Sequence, residues 1–470
     1  MACTCRQTAF PRPAVYRPRR PQQTDFYRLV EDNLETFLVQ ANDPFYAASP
    51  SVPPHAETAM RDFLSCGLPG DGFCRAVCRR CGRTLVISYS CQHRCPCPSC
   101  AAKKTAVAGA KLVDDVIPEV PVRMWTLTLP KRLRFFLDKD AKMLDGTGRI
   151  LAGEVEMFLR RLAGIEDGRC GTVQFIQWGA SFDLKRHVHY HQLSTDGVFL
   201  VGPGGSVNFQ EVRPPTPEEV KAVEQRIAAR VLKLFVRHDH LESSEAEKMK
   251  AWEFSGFSLD ASVAVEADDR KGLEHLVRYC AKPSFVASNV TYLPDAEQVI
   301  YRLPKPDPQG CTQIELTPME CLQRIVELIP PPRKNMIRFY SAFAPNCSIR
   351  RKVVRYSEQE QLTILPSEEK KKTSRRKANL TWAALIRRVF EVDPLRCPCG
   401  GELKIVEFYT DGHECADYLE RCGLPIQTAD PKPARSPPEL EELAEPEFED
   451  YVEPDTPDEW YGIDPPFYED

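Results

Sequence analysis

Three histidines alternate with two other residues in the stretch RHVHYHQL: His187, His189 and His191, separated by Val188 and Tyr190. The whole chain of 470 residues holds nine histidines, so three within five positions is a concentration that asks for a chemical reason. On a β-strand, residues two apart share a face, and the three imidazoles then point the same way. A pair of them can hold a divalent cation, which polarises a phosphoryl oxygen and fixes a scissile bond in place. The plainer alternative is the polar face of an edge strand. The nucleophile must come from elsewhere. Tyr279 in LEHLVRYCAKP is the best candidate, on a helix just before a proline, with Arg278 and Lys282 beside it to neutralise phosphate. A tyrosine hydroxyl can form a covalent phosphotyrosine that stores the energy of the broken bond. Its ordinary pKa, near ~10, makes help from a metal or from cations necessary.

Cysteine supplies a second chemistry. Of 19 cysteines, eight (Cys66, Cys74, Cys78, Cys81, Cys91, Cys95, Cys97 and Cys100) fall between positions 66 and 100. CRRC at 78–81 and CPSC at 97–100 are two knuckles of the kind that brings four thiolates to one tetrahedral zinc. The spacing therefore predicts a structural zinc on Cys78, Cys81, Cys97 and Cys100. Cys74, Cys91, His93 and Cys95 are spare ligands, a second site, or neither. Arg75, Arg79, Arg80, Arg83, Arg94, Lys103 and Lys104 surround the knuckles and suit contact with nucleic acid.

Behind these groups stands an ordinary globular composition, 42% hydrophobic and 27% charged, sufficient for a real core. No stretch approaches the roughly 18 apolar residues of a membrane span. The first twenty residues hold no apolar signal segment, which disfavours a disulfide framework for the cysteines and predicts a soluble, cytoplasmic protein without a membrane partner. The net charge of −5 hides a split: residues 436–470 carry fourteen acidic side chains and no Lys or Arg, leaving 62 bases against 53 acids, a net of +9, over residues 1–435. Basic runs at Arg17, Arg19 and Arg20, at 350–355 and at 370–377 suit a polyanion.

The elements that must position the site follow from periodicity. Helices are predicted through TDFYRLVEDNLETFLVQA with Thr24 or Asp25 as N-cap, at 101–116, 150–164, 217–237 and 272–281. Strands are predicted at 123–130, 172–180, 186–201 and 255–267, the middle two as an antiparallel pair. The fold class read from this pattern is α+β with a mainly antiparallel sheet. The parts in order are a Pro/Arg-rich arm (1–22), a helical and zinc-binding module (23–116), a catalytic domain (117–300), a basic segment and linker (301–378), a small C-terminal α/β domain (379–425) and an acidic disordered tail (426–470).

Seven landmarks in order give the chain a resemblance. They are FYRLVEDNLETFL; CRRC with SCQHRCPCPSC; EVPVRMWTLTLP; HVHYHQLSTDGVF; GFSLDASV followed by DDRKGLEHLVRYCAKP; IPPPRKNMIRFYSAFAPN; and WAALIRRVFEVDPLRCPCGG. Together they resemble the rolling-circle transposases of the IS91 and common-region type, which belong to the HUH single-strand DNA endonucleases and carry an N-terminal zinc-binding domain. The family pattern places its two metal-binding histidines on His189 and His191, counting back from Asp196, with His187 as an extra ligand, and its nucleophile on Tyr279. The resemblance implies an enzyme that cuts one DNA strand at element termini and joins it to target DNA. A 5′-phosphotyrosine and a free 3′-hydroxyl would form, assisted by Mg²⁺ or Mn²⁺, with Zn²⁺ structural. Some relatives carry a second tyrosine four residues earlier, where this chain has His275. Many read histidine where it has Asp260, which is either a ligand for a hard cation or a surface residue. Gln174, Gln177 and His187 are the candidates for a third metal ligand. A further zinc at CPCGG would need Cys397 or Cys399 with His413, Cys415 or Cys422. A rolling-circle replication initiator and a non-catalytic, zinc-dependent DNA-binding protein are the rival readings.

Overall fold

The computed structural model describes residues 14–15, 19–43, 51–179, 184–252, 256–307, 310–354, 392–393 and 395–435. The basic run at 370–377, the linker near 356–378, residues 1–13 and the acidic stretch from 436 onward lie outside the described residues.

The chain opens with β1 (Ala14–Val15) and then α1 (Asp25–Asn42), where Thr24 accepts a hydrogen bond from the Tyr27 amide as N-cap. Phe26, Leu29, Val30, Leu34, Phe37 and Leu38 recur at helical spacing and are all buried. They pack on α2 (Pro54–Ser65), whose proline sits at the first helical position. Hairpin β2 (Phe73–Cys78) and β3 (Thr84–Ser88) and helix α3 (Pro98–Asp115) complete this part.

The centre is one antiparallel sheet. Its strands are β4 (Val122–Thr128), β5 (Gly171–Gly179) and β6 (Arg186–Thr195), with α4 (Lys131–Lys139) and α5 (Ala141–Ala163) between β4 and β5. Hairpin β7 (Gly197–Val201) and β8 (Val207–Glu211) leads to α6 (Pro217–Arg237) and α7 (Ser243–Ala251). The stretch 255–267, read as one strand, is two: β9 (Ser258–Asp260) and β10 (Ala264–Val265) both pair with β4, and α8 (Arg270–Ala281) follows. Alternation sorts the side chains onto two faces. Trp125, Leu127, Ile176, Trp178, Val188 and Tyr190 pack under α4 to α7. Val122, Met124, Val173, Phe175 and Leu193 pack under α3 and α8.

The central sheet draws on residues beyond 300, the expected end of the catalytic domain. β11 (Val290–Leu293), β12 (Gln298–Arg302) and β13 (Gln313–Leu316) form a small antiparallel sheet that, with α9 (Pro318–Glu327), packs on α1. β14 (Ile337–Ser341) then adds itself to the central sheet beside β5, giving the order β10-β4-β6-β5-β14. A short helix, α10 (Arg350–Val353), follows. Further on, β15 (Val392–Asp393) pairs with β1, and β16 (Leu403–Tyr409) adds to β2 as a third strand. Helix α11 (Gly412–Arg421) buries Cys415 and Leu419 against Phe73. The expected separate C-terminal domain is therefore, in its described residues, built onto the zinc-binding hairpin. Residues 426–435, expected in the tail, run back along α1: the Lys432 amide donates to the Glu31 carbonyl at 2.9 Å and the Arg435 amide to Thr36 Oγ1 at 3.0 Å.

The end of β6 is fixed by a buried ion pair. Arg123 donates to both carboxylate oxygens of Asp196, at 3.0 and 2.7 Å, and to the Ala261 carbonyl at 2.9 Å. At Gly197 a Cβ would lie 2.3 Å from the Gln210 carbonyl oxygen, so the Asp-Gly pair at the strand end is required by both charge and space. Replacing Arg123 by Ala strands a buried carboxylate and is expected to lower stability by about 3–5 kcal/mol. Gly197→Ala, an overpacking change, is expected to cost about 1–3 kcal/mol. Both are read from urea-unfolding midpoints of the full chain.

Candidate active site and cysteine clusters

His187, His189 and His191 lie on the same face of β6, with ring centroids 5.1 Å apart between the first two and 4.9 Å between the last two. His189 Nδ1 donates to the His187 carbonyl at 2.9 Å, which leaves its Nε2 as a bare acceptor. That nitrogen faces His191 Nε2 at 3.2 Å, and His191 Nδ1 lies 3.2 Å from Thr126 Oγ1 on the neighbouring strand. Two cis ligands about 2.1 Å from an octahedral ion stand roughly 3 Å apart, so this pair fits a small divalent cation. His187 does not converge with them: among the described residues, no group of three His, Cys, Asp or Glu ligand atoms includes these histidines. Burial pushes His187 down to about 2 and His189 to about 4, and His191 well below its ordinary value. All three are held in the neutral, metal-binding form.

Tyr279 meets this pair from α8. Asp269 caps the helix by accepting from the Gly272 amide at 2.8 Å, and the chain leaves the helix at Lys282 before Pro283. The ring of Tyr279 stands edge-on to His191, centroids 5.5 Å apart, and Lys282 Nζ lies 4.5 Å from its ring centre. Burial raises the phenol pKa and lowers that of Lys282. Arg278 sits on the other flank, its stem over Gly109 of α3, where a Cβ would meet it at 2.9 Å.

The last carbonyls of a helix have no partner within the helix. Here side chains from two other elements supply donors. Gln177 on β5 donates to the carbonyls of Cys280 and Lys282, and Thr105 on α3 donates to that of Ala281 at 3.0 Å. Gln177 thus positions the tyrosine-bearing helix end. Gln174, the other glutamine proposed as a ligand, lies on the opposite face, donating to Gly148 O and Gln192 Oε1 at 3.0 Å each. Asp260 pairs across β4 with Thr126, on the histidine face, and accepts from Ser262. His275 is exposed, one turn before Tyr279. Beside the site opens a cavity of about 90 Å³, lined by Arg94 and Lys104 from the zinc side and by Gln177, Trp178 and Lys282 from the sheet side. Thr126 and Thr105 carry no motif of their own, and Gln177, expected as a metal ligand, binds helix-end carbonyls instead; strand register and helix-end geometry reveal these roles.

The cysteines do not pair as their spacing predicts. Cys97 and Cys100 cluster with Cys66 and Cys91, with sulfur separations of 3.5 Å for Cys97–Cys66 and 3.6 Å for Cys66–Cys100 and Cys91–Cys100. Ligands about 2.3 Å from a tetrahedral zinc stand just under 4 Å apart, so the four sulfurs fit that ion. Hydrogen bonds from the Cys100 thiol and its neighbours drive the Cys66 pKa far down. Arg19, from the expected loose arm, places its guanidinium 3.6 Å from the same sulfur and offsets its charge. Cys78 and Cys81 stand elsewhere, grouped with Cys397 and Cys399. The physical reason is the β2–β3 hairpin: Cys66 and Cys91 flank its open end, and CRRC forms its turn, five residues or about 17 Å away. One ion cannot span it. The local partners expected for Cys397 and Cys399, namely His413, Cys415 and Cys422, are likewise not used.

A transposase zinc-binding domain model matches residues 38–129, and a transposase model matches residues 171–352, which contain the whole histidine and tyrosine site. Both matches are to transposase models, the N-terminal one to a zinc-binding domain of the IS91 type, in agreement with the resemblance carried by the sequence landmarks. No curated protein and no solved structure matches it. No helix among the described residues is long and apolar enough to cross a membrane.

The ligand set makes a direct prediction. Cys66→Ser or Cys91→Ser is expected to remove the same zinc equivalent as Cys97→Ser, measured by metal analysis of the full-length protein. An unchanged zinc content in the Cys66 and Cys91 variants would contradict the assignment.

Proposed function

We propose that this transposase cleaves single-stranded DNA at the ends of its element and transfers the strand through a covalent 5′-phosphotyrosine on Tyr279. The observation that supports this reading is the approach of the Tyr279 ring to His191, whose Nε2 in turn faces that of His189. His189 and His191 would hold Mg²⁺ or Mn²⁺; imidazole favours the softer Mn²⁺. When bound, such an ion supplies charge neutralisation and a fixed position for the scissile phosphate.

The chain's own groups account for the rest. The Tyr279 oxygen forms a bond to phosphorus as its proton leaves; the bond to the 3′ oxygen breaks, and that oxygen departs as a hydroxyl. The phosphate remains on the tyrosine, linked through the 5′ side. Attack by another 3′-hydroxyl reverses these steps and releases the phenol. Lys282 stands over the phenol and screens the phosphate charge. The cationic walls of the adjoining cavity, Arg94 and Lys104 opposite Lys282, suit a single strand, which an extended basic groove accommodates better than a duplex. With His275 one turn earlier, Tyr279 is the single tyrosine that α8 brings to this site, so repeated cleavage would reuse Tyr279 or draw on a second copy.

The test is covalent capture. Full-length protein incubated with labelled single strands of the element ends and Mn²⁺ is expected to give a denaturant-resistant adduct, absent in Tyr279→Phe. His189→Ala and His191→Ala are each expected to slow its formation by about 10² or more, in line with losing a preorganised electrostatic contact. Gln177→Ala is expected to lower the rate about tenfold, since it releases the helix end that carries the nucleophile. An adduct that persists in Tyr279→Phe would refute the nucleophile, and binding with no adduct on any strand would favour the DNA-binding rival.

A further inference from the structure

We propose that Cys78, Cys81, Cys397 and Cys399 form a second zinc site, which fastens the C-terminal strand β16 to the N-terminal zinc hairpin. All four sulfurs lie within 4.8 Å of one another. Cys78 and Cys399 are 3.5 Å apart, and Cys81 and Cys397 are 3.6 Å apart, across 321 and 316 residues of sequence. Cys397 and Cys399 stand far outside the matched zinc-binding segment, which ends at residue 129.

The two halves of the cluster are built alike. In CRRCG the amide of Arg80 donates to Cys78 Sγ at 3.4 Å, and Gly82 turns the chain at φ +69°. In CPCGG the amide of Gly401 donates to Cys399 Sγ at 3.4 Å, and Gly400 turns the chain at φ +82°. Amides aimed at sulfur stabilise thiolate over thiol. The halves also exchange backbone contacts: the Arg79 amide donates to the Glu402 carbonyl at 3.0 Å, and Arg80 Nη1 donates to the Cys399 carbonyl at 3.1 Å. Arg79, Arg80 and Arg83 supply positive charge around four thiolates that would otherwise leave zinc with a net charge of −2.

The surroundings need such a fastening. The buried cluster at this end of the sheet consists of Ala76, Cys78, Cys397 and Leu403, with Leu85 and Ile87 half-buried against it. Two of its four members are the cysteines themselves. Ile405, Val406 and Phe408 of β16 are exposed and add nothing to a core. The packing of Tyr409 on Phe73 holds the far end of β16, and at this end, where the core is so small, a structural metal adds the missing tie. Binding releases the thiol protons and closes a chain segment of more than three hundred residues, the kind of long closure from which a cross-link gains most. Four thiolates in a tetrahedral arrangement select zinc among the abundant divalent ions.

Thiol reactivity in the unmodified full-length protein tests this without a variant. Cys81 and Cys399 are exposed, as are Cys311 and Cys422. In zinc-loaded protein, alkylation followed by peptide mass analysis is expected to label Cys311 and Cys422 at least tenfold faster than Cys81 and Cys399. A strong chelator is expected to make Cys78, Cys81, Cys397 and Cys399 reactive together. Equal labelling of all four exposed cysteines before chelation would overturn the site. Metal counting gives a second test. Cys78→Ser/Cys81→Ser and Cys397→Ser/Cys399→Ser are each expected to lose one zinc per chain relative to the parent, and the fourfold variant no more than one. A loss of two in the fourfold variant would mean separate sites. No loss in either double variant would mean that no zinc sits there, and iron–thiolate absorption in the purified protein would overturn the choice of metal.

Discussion

The carbonyls at the C-terminal end of α8 must find donors outside their own helix, and that requirement sets the geometry of the site. Gln177 from β5 and Thr105 from α3 answer it, and in doing so lock the helix end against the central sheet. Tyr279 is one residue before the first of those carbonyls. Its place opposite His191 therefore follows from hydrogen bonding by residues on two other elements. The same α3 that supplies Thr105 begins immediately after Cys97 and includes Cys100, so one helix runs from the zinc cluster to the catalytic face. The cysteine cluster and the placement of Tyr279 are thereby linked through one helix.

The sheet provides the other half. Period-two alternation sends Val188 and Tyr190 into the core under α4 to α7 and leaves His187, His189 and His191 on the other face, where His191 meets Tyr279 of α8. Strand β6 has β4 on one side and β5 on the other, so Thr126 and Gln177 are carried to the histidines by register alone. The Arg123–Asp196 pair and the space-limited Gly197 then stop the strand where the histidine face ends. Burial keeps the imidazoles neutral and raises the pKa of the phenol.

Much of this was legible in the residues because it is local. The alternating histidines, the capped helix from Thr24, the antiparallel strands and the helix that ends at Pro283 all depend on neighbours within a few positions. What escaped was set by topology. CRRC and CPSC look like one tetrahedral site until a hairpin places them at opposite ends of itself, and CPCGG looks unpaired until β16 docks on β2. Residues 337–341 read as part of a linker, yet they form an edge of the central sheet, since a five-residue strand acquires its meaning only from the partner beside it. The single strand expected at 255–267 breaks in two because both pieces must pair with the same β4.

The central claim is that His189 and His191 share one cation beside Tyr279. Pulsed electron paramagnetic resonance of full-length protein loaded with one equivalent of Mn²⁺ reads this directly, through the nitrogen nuclei bound to the ion. Two strongly coupled ¹⁴N nuclei are expected, falling to one in His189→Ala and to one in His191→Ala, and remaining two in His187→Ala. A spectrum without nitrogen coupling, or one that both single variants leave unchanged, would contradict the account.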